Sequence, residues 1–255
     1  MKTLPARPHL EHLKKQAKAL LDAYRRGDAD AFARLRESLP AARERDDAAI
    51  AAMALRLADA QSCVAREYGF ASWTQLKDYV EAQGDDAQRL AQWRAWTFGG
   101  GYFGAKPQLA ARLLREHPRL VAGDPALACA IGDVASVRAQ IAKDPQWAKT
   151  RSDGATMSPL ASACFSGLVR LPEFASGIRD CVALLLAAGA DANDATLDAH
   201  FPEHPLSVLY GAAGRNHDAA LARTLLDAGA DPNDNESLYH AVESPDPACA
   251  QLLLA

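Results

Sequence analysis

LLLAAGADAND at residues 184–194 returns forty positions later as TLLDAGADPND at 224–234. A chain that spells one phrase twice at that spacing builds the same local structure twice. Self-similarity with a period of roughly 20–50 residues marks stacked repeats, each too small to bury its apolar side alone. Two further self-alignments agree. GDADAFARLRESLP (27–40) and GDVASVRAQIAKDP (132–145) both place a proline thirteen residues after the glycine. SLYHAVESPDPACAQLLLA (237–255) follows LYGAAGRNHDAALARTLLDA (209–228) as a small-residue helix, a polar break and a leucine-rich helix. The unit is a pair of antiparallel helices.

Each part of the unit has a physical reason. Small residues at Ala161, Ala163, Ala212, Ala213 and Ala241 let one helix lie close to its neighbour. The leucine runs Leu184–Leu186, Leu225–Leu226 and Leu252–Leu254 exceed what a lone hairpin buries, so each requires cover from the next unit. Gly189 and Gly229 end their helices, because glycine takes the left-handed conformation of a helix C-cap at little cost.

The phrases SPLASA at Ser158–Ala163, VALLLAAGADAN at Val182–Asn193 and ALARTLLDAGADPN at Ala220–Asn233 resemble the ankyrin-repeat family, whose unit opens T-P-L-H-x-A-A and closes on G-A-D-x-N. ESLYHAV (236–242) and ALACAIGD (126–133) fit more loosely. The resemblance spans residues 120–255 and implies about four degenerate repeats in an all-α, ankyrin-type helical-repeat solenoid with short turns or hairpin fingers. Two departures stand out. Gly167 to Gly189 is 22 residues, where the family pattern has about 12, so LVRLPEFASG is expected to be an insertion whose tip joins a binding surface. Gly229 to Leu238 is nine residues where about fourteen are usual, which shortens a finger. The last unit stops at Ala255 inside its second helix, so either an apolar face is left for a partner or a second copy, or the natural protein continues.

Ahead of the repeats, residues 1–83 read as a helical module. HLKKQAKALLDAYRR sets Leu13, Ala17, Leu20, Leu21 and Tyr24 at helical spacing, and DAFARLRESL follows after Gly27-Asp28. One apolar-periodic helix is expected from about 48 to 68, then a new one N-capped by Ser72. LADAQSCVAREYGFASWTQLKDYVEA (57–82) resembles a segment that precedes ankyrin repeats in many bacterial proteins, which implies a cap over the first repeat. EAQGDDAQ (81–88) is the expected boundary, and 84–119 the connecting helices.

Composition removes several function classes. Within 255 residues the net charge is −4, so no overall basic field asks for nucleic acid. The first 26 residues hold seven Lys/Arg against Glu11 and Asp22, while 191–255 hold eleven Asp/Glu against Arg215 and Arg223. The Lys14, Lys15, Lys18 cluster lacks interleaved aromatics and reads as a solvated face. No apolar run approaches the roughly 20 residues that span a bilayer, and MKTLPARPHLEHLKK lacks a signal-peptide core, so the expected place is the cytoplasm. The five scattered cysteines contain no C-x-x-C pair and read as buried free thiols.

Catalytic motifs fail on inspection. FGGGYFG (98–104) is followed by Ala105, Lys106 and Pro107 rather than Gly-Lys-Ser/Thr, so it reads as a flexible turn and not a phosphate loop. HFPEH (200–204) formally fits a zinc-protease pattern, but Pro202 and Pro205 prevent His200 and His204 from sharing a helical face; a loop insertion is expected. Neither an enzyme, a cofactor nor a metal site is expected. The expected function is protein binding through the concave face and turn tips. The resemblance places Ser162, Phe165, Ser166, Gly211, Arg215, His240 and Glu243 in that groove, with Phe165 as anchor. Acidic turns at Asp191, Asp194, Asp231 and Asp234 favour a basic partner. The alternatives are self-association through the C-terminal repeat into a weak homo-oligomer and, last, a metal-dependent hydrolase.

Overall fold

The computed structural model describes residues 2–5, 8–99, 104–151, 157–198 and 201–255, with the side chains of 197–204 outside that description. Chain contacts separate into two compact units, one up to Arg89 and one from Leu90. Both are built almost wholly from helices.

The first unit holds α1 (Leu10–Arg25), α2 (Ala29–Ser38), α3 (Asp47–Ala51), α4 (Leu57–Glu67) and α5 (Trp73–Glu81). Helix α1 buries the five residues that its periodicity picks out, Leu13, Ala17, Leu20, Leu21 and Tyr24. Ser72 caps α5, its Oγ accepting the Gln75 N–H at 3.2 Å. The single helix expected over 48–68 is instead two. The Tyr24 hydroxyl donates to the carbonyls of Ala51 and Met53, and the Asp59 carboxylate accepts the Arg56 N–H at 2.8 Å, starting a new helix there. Backbone groups that would have continued α3 are satisfied by side chains, so the helix ends.

Helix α6 (Asp86–Phe98) runs into the second unit, followed by α7 (Pro107–Glu116), α8 (Pro125–Ile131), α9 (Val134–Lys143), α10 (Pro159–Cys164) and α11 (Pro172–Ala187). A two-stranded antiparallel hairpin, β1 (Ala195–Asp198) with β2 (Phe201–Ser207), comes next. The chain then makes a six-residue π-helical turn, Tyr210–Arg215, and ends in α12 (Ala219–Asp227), α13 (Ser237–Ala241) and α14 (Ala248–Leu253). Helix α8 packs on α9 and α10, α10 on α11, α11 on α12, and α12 on α14, while the π-turn lies against α13. Ala161, Ala163, Ala212, Ala213 and Ala241 are all fully buried at these contacts. Of the leucine runs, Leu185 and Leu225 are fully buried while their neighbours are half-buried.

The paired phrases at 27 and 132 adopt one local geometry. Gly27 and Gly132 both have φ of +73°, and Asp28 and Asp133 cap ten-residue helices, α2 and α9. Gly132 has a second duty. A Cβ there would lie 2.6 Å from the Ile178 nitrogen, and one at Gly177 would lie 2.5 Å from the Gly132 oxygen, so two glycines let α8 and α11 touch backbone to backbone.

Two expectations change. LVRLPEFASG does not form a protruding tip: Gly167–Arg170 makes a 3-10 turn with Leu168 and Val169 buried, and Pro172 starts α11 early, as proline favours a first helical turn. The expected loop at HFPEH is a strand from Phe201 onward, and His200 lies outside the described residues. Residues 100–103 of the glycine-rich stretch also lie outside the described residues. No described helix is long and apolar enough to cross a membrane.

Candidate functional site

A run of aromatic and charged side chains in the second unit extends from α10 through the π-turn to α13. Phe165, the C-cap of α10, lies 6.1 Å from the Tyr210 ring; Tyr210 lies 5.3 Å from His240, and His240 4.9 Å from Tyr239. Exposure climbs along this tier, from 1% at Phe165 to 67% at Tyr239. Val242 beside it is 62% exposed.

Glycines make the tier possible. A Cβ at Gly211 would stand 3.0 Å from both the Cys164 carbonyl oxygen and the Phe165 ring. One at Gly214 would stand 2.7 Å from the Tyr210 ring and 3.1 Å from the His240 Cβ. Tyr210 begins the π-helical turn, a distortion that recurs where helices carry function.

Charges fix the two ends. The Arg215 guanidinium sits 5.8 Å from the Phe165 ring centroid, within cation–π range, and donates to the Phe98 carbonyl. Arg170 donates to the Arg215 carbonyl at 2.6 Å and to Asn216 Oδ1 at 3.0 Å. Asn216 in turn donates to the carbonyls of Cys164 and Ser166 at 2.9 and 3.3 Å. Burial, then the nearby Arg215 charge, lowers the Arg170 pKa. At the outer end His240 Nδ1 is 3.0 Å from Glu243 Oε2 and Nε2 is 3.4 Å from Glu236 Oε2. Burial raises the Tyr210 pKa; Arg215 opposes this and the two glutamates add to it.

The residues expected to line a groove therefore divide. Arg215, His240 and Glu243 belong to the half-buried or exposed part of this tier. Phe165 does not act as an accessible anchor, since its ring is inside the fold beneath Tyr210 and Arg215. Ser162 is 3% exposed; Ser166 is fully buried, its Oγ donating to the Ala130 carbonyl at 2.6 Å, and Gly211 is buried by close approach. Asp191 and Asp231 are exposed turn residues. Asp194 and Asp234 are engaged internally: Asp194 accepts from the Ser158 hydroxyl and from Arg151 at 3.0 Å, Asp234 from the hydroxyls of Ser207 and Ser237.

Sequence reasoning missed Tyr239 and Val242. The signal was present: Tyr239 occupies in ESLYHAV the place that Tyr210 occupies in SVLYGAA, and Tyr210 is half-covered by α13. Among the described residues, no group of three or more His, Cys, Asp or Glu could hold a metal ion. Comparison with family models, with curated proteins and with solved structures finds no match to this chain.

Proposed function

We propose that residues 120–255 are an ankyrin-type helical-repeat module that binds a protein partner without catalysing a reaction, in the reducing cytoplasm where free thiols persist. The observation that carries this reading is the outer end of the aromatic tier. Tyr239 and Val242 leave large apolar surfaces in water, and the carboxylates of Glu236 and Glu243 flank His240, whose ring packs on Tyr239. Exposed aromatic surface with polar groups beside it is the make-up of a binding patch, and carboxylates there favour a basic partner. Affinity capture from the native cell with wild-type chain and with a Tyr239→Ser/Val242→Ser variant tests it. Loss of one particular captured protein supports the patch; an unchanged set overturns it.

Self-association into a weak homo-oligomer is the second reading, favoured by Leu254, 72% exposed on the same repeat. Sedimentation across concentration and salt separates the two, because a concentration-independent monomer excludes this one.

A further inference from the structure

A cleft of about 360 Å³ opens in the first unit between α2, α4 and the turn after Ser38, lined by Lys2, Arg34, Arg43, Arg66, Glu37 and Glu67. That volume lies within the roughly 300–1,000 Å³ range of small-molecule sites. Four cations face two carboxylates.

Glu67, at the base, is consumed by the protein. Its carboxylate is 7% exposed and takes Arg34 Nε and Nη2 at 2.6 and 2.9 Å and Lys2 Nζ at 2.6 Å. This pairing also ties the chain start to α4, where the Lys2 N–H donates to the Glu67 carbonyl at 2.6 Å. The donors around the cleft nevertheless outnumber the acceptors. Among the described residues Arg34 keeps Nη1, and Lys2 keeps two of its three N–H bonds. Among them Arg66 spends only Nη1, on the Ser62 carbonyl at 3.3 Å. The Arg43 side chain forms no hydrogen bond or ion pair among the described residues and is exposed where it lines the cleft. The remaining carboxylate, Glu37, is a solvated side chain on the surface of α2.

Guanidinium groups converging with donors to spare match the oxygens of a phosphate, which accepts paired N–H bonds as a carboxylate does and carries more charge. We propose that this cleft binds a small phosphate-bearing anion, gripped by Arg43 and Arg66 with Lys2 and Arg34 behind them. The charge of Glu67 is already neutralised, so a dianion meets a net positive site. The site is independent of the partner-binding patch, which lies in the other unit.

Calorimetric titration of the full chain with sodium pyrophosphate, at ionic strength held constant with sodium chloride, tests the assignment. Saturable one-to-one binding is expected, weakened about tenfold or more by Arg43→Ala/Arg66→Ala. Lys15→Ala/Lys18→Ala removes as much charge from α1 and is expected to leave the affinity unchanged. Equal weakening by the two double variants would mean diffuse attraction and overturn the site. So would the absence of saturation at about 10 mM pyrophosphate, an affinity too weak for a built pocket. If the double variant unfolds, Arg43→Ala alone decides, because that side chain holds nothing in place; undiminished binding then overturns the proposal.

Discussion

The side chain of Asn193 joins two copies of the repeated phrase: its Oδ1 accepts the Asp231 N–H at 2.8 Å and its Nδ2 donates to the Gly229 carbonyl at 3.1 Å. The second copy's asparagine, Asn233, turns inward to its own Asp231 instead. In the first copy the asparagine thus does more than close its own turn: it clips that turn to the next.

Asn193→Ala is therefore expected to destabilise the second unit by about 1 kcal/mol, two hydrogen bonds at an exposed site. Asn233→Ala, which removes only one local side-chain bond, is expected to cost less. Urea denaturation of the two variants side by side checks the order, and an equal cost would refute the clip.

At Gly177 two effects oppose each other. Alanine inside a helix is normally favoured over glycine by about 0.5–1 kcal/mol. Here the new methyl would lie 2.5 Å from a backbone oxygen that cannot rotate away, and such overpacking costs about 1–3 kcal/mol. Packing wins, so Gly177→Ala is expected to lower the thermal midpoint despite its higher helix propensity. A rise in midpoint would show that α8 and α11 do not meet as closely as described.

Much of this was legible because it is local. Gly27-Asp28 and Gly132-Asp133 carry their own instructions, a left-handed residue and a capping carboxylate, and both produced the helices expected. The break after α3 was not legible, because it depends on Tyr24 reaching the carbonyls of Ala51 and Met53 from another helix. The candidate site failed in the same way. The resemblance to ankyrin repeats implies Phe165 in a groove, yet Tyr210 and Arg215, distant in sequence, lie against its ring and it is buried. Asp194 and Asp234 read as surface charge, and only the fold brings Ser158 and Ser207 to them.

The cysteines are expected to be inert in the folded chain. All five are buried. Burial raises the Cys63 and Cys249 thiols to about 11 and Cys181 to about 12, with Cys129 and Cys164 also pushed well up. At pH 8 a thiol of pKa near 11 is ionised in only about one molecule per thousand, and the thiolate is the reacting form. Mass spectrometry after brief iodoacetamide treatment is expected to show no adduct on native protein and five on urea-unfolded protein. Rapid native labelling of Cys63 would mean that the first unit opens readily.

Glu67 supplies the pH dependence. Burial pushes its carboxyl pKa up, but hydrogen bonds from Arg34 and Lys2 and their charges outweigh that and hold it below the usual 4.5. A carboxyl whose folded pKa is depressed binds its proton less readily folded than unfolded, so its stabilisation is fully present above the unfolded value, near 4.5. It is lost as the pH falls through the lower, folded value. Glu67→Gln keeps the shape but not the charge, and at pH 7 is expected to cost about 1.5–3 kcal/mol, the worth of hydrogen bonds to a charged group. Lys2 and Arg34 are 47% and 35% exposed, so water recovers part of what they lose and the lower half of that range is expected. Denaturant midpoints for wild type and variant should converge as the pH is lowered from 5 towards 2, because the native carboxyl then also becomes neutral. A cost that stayed constant down to pH 2 would mean that shape rather than charge makes Glu67 matter, and that Arg34 and Lys2 are not held by it.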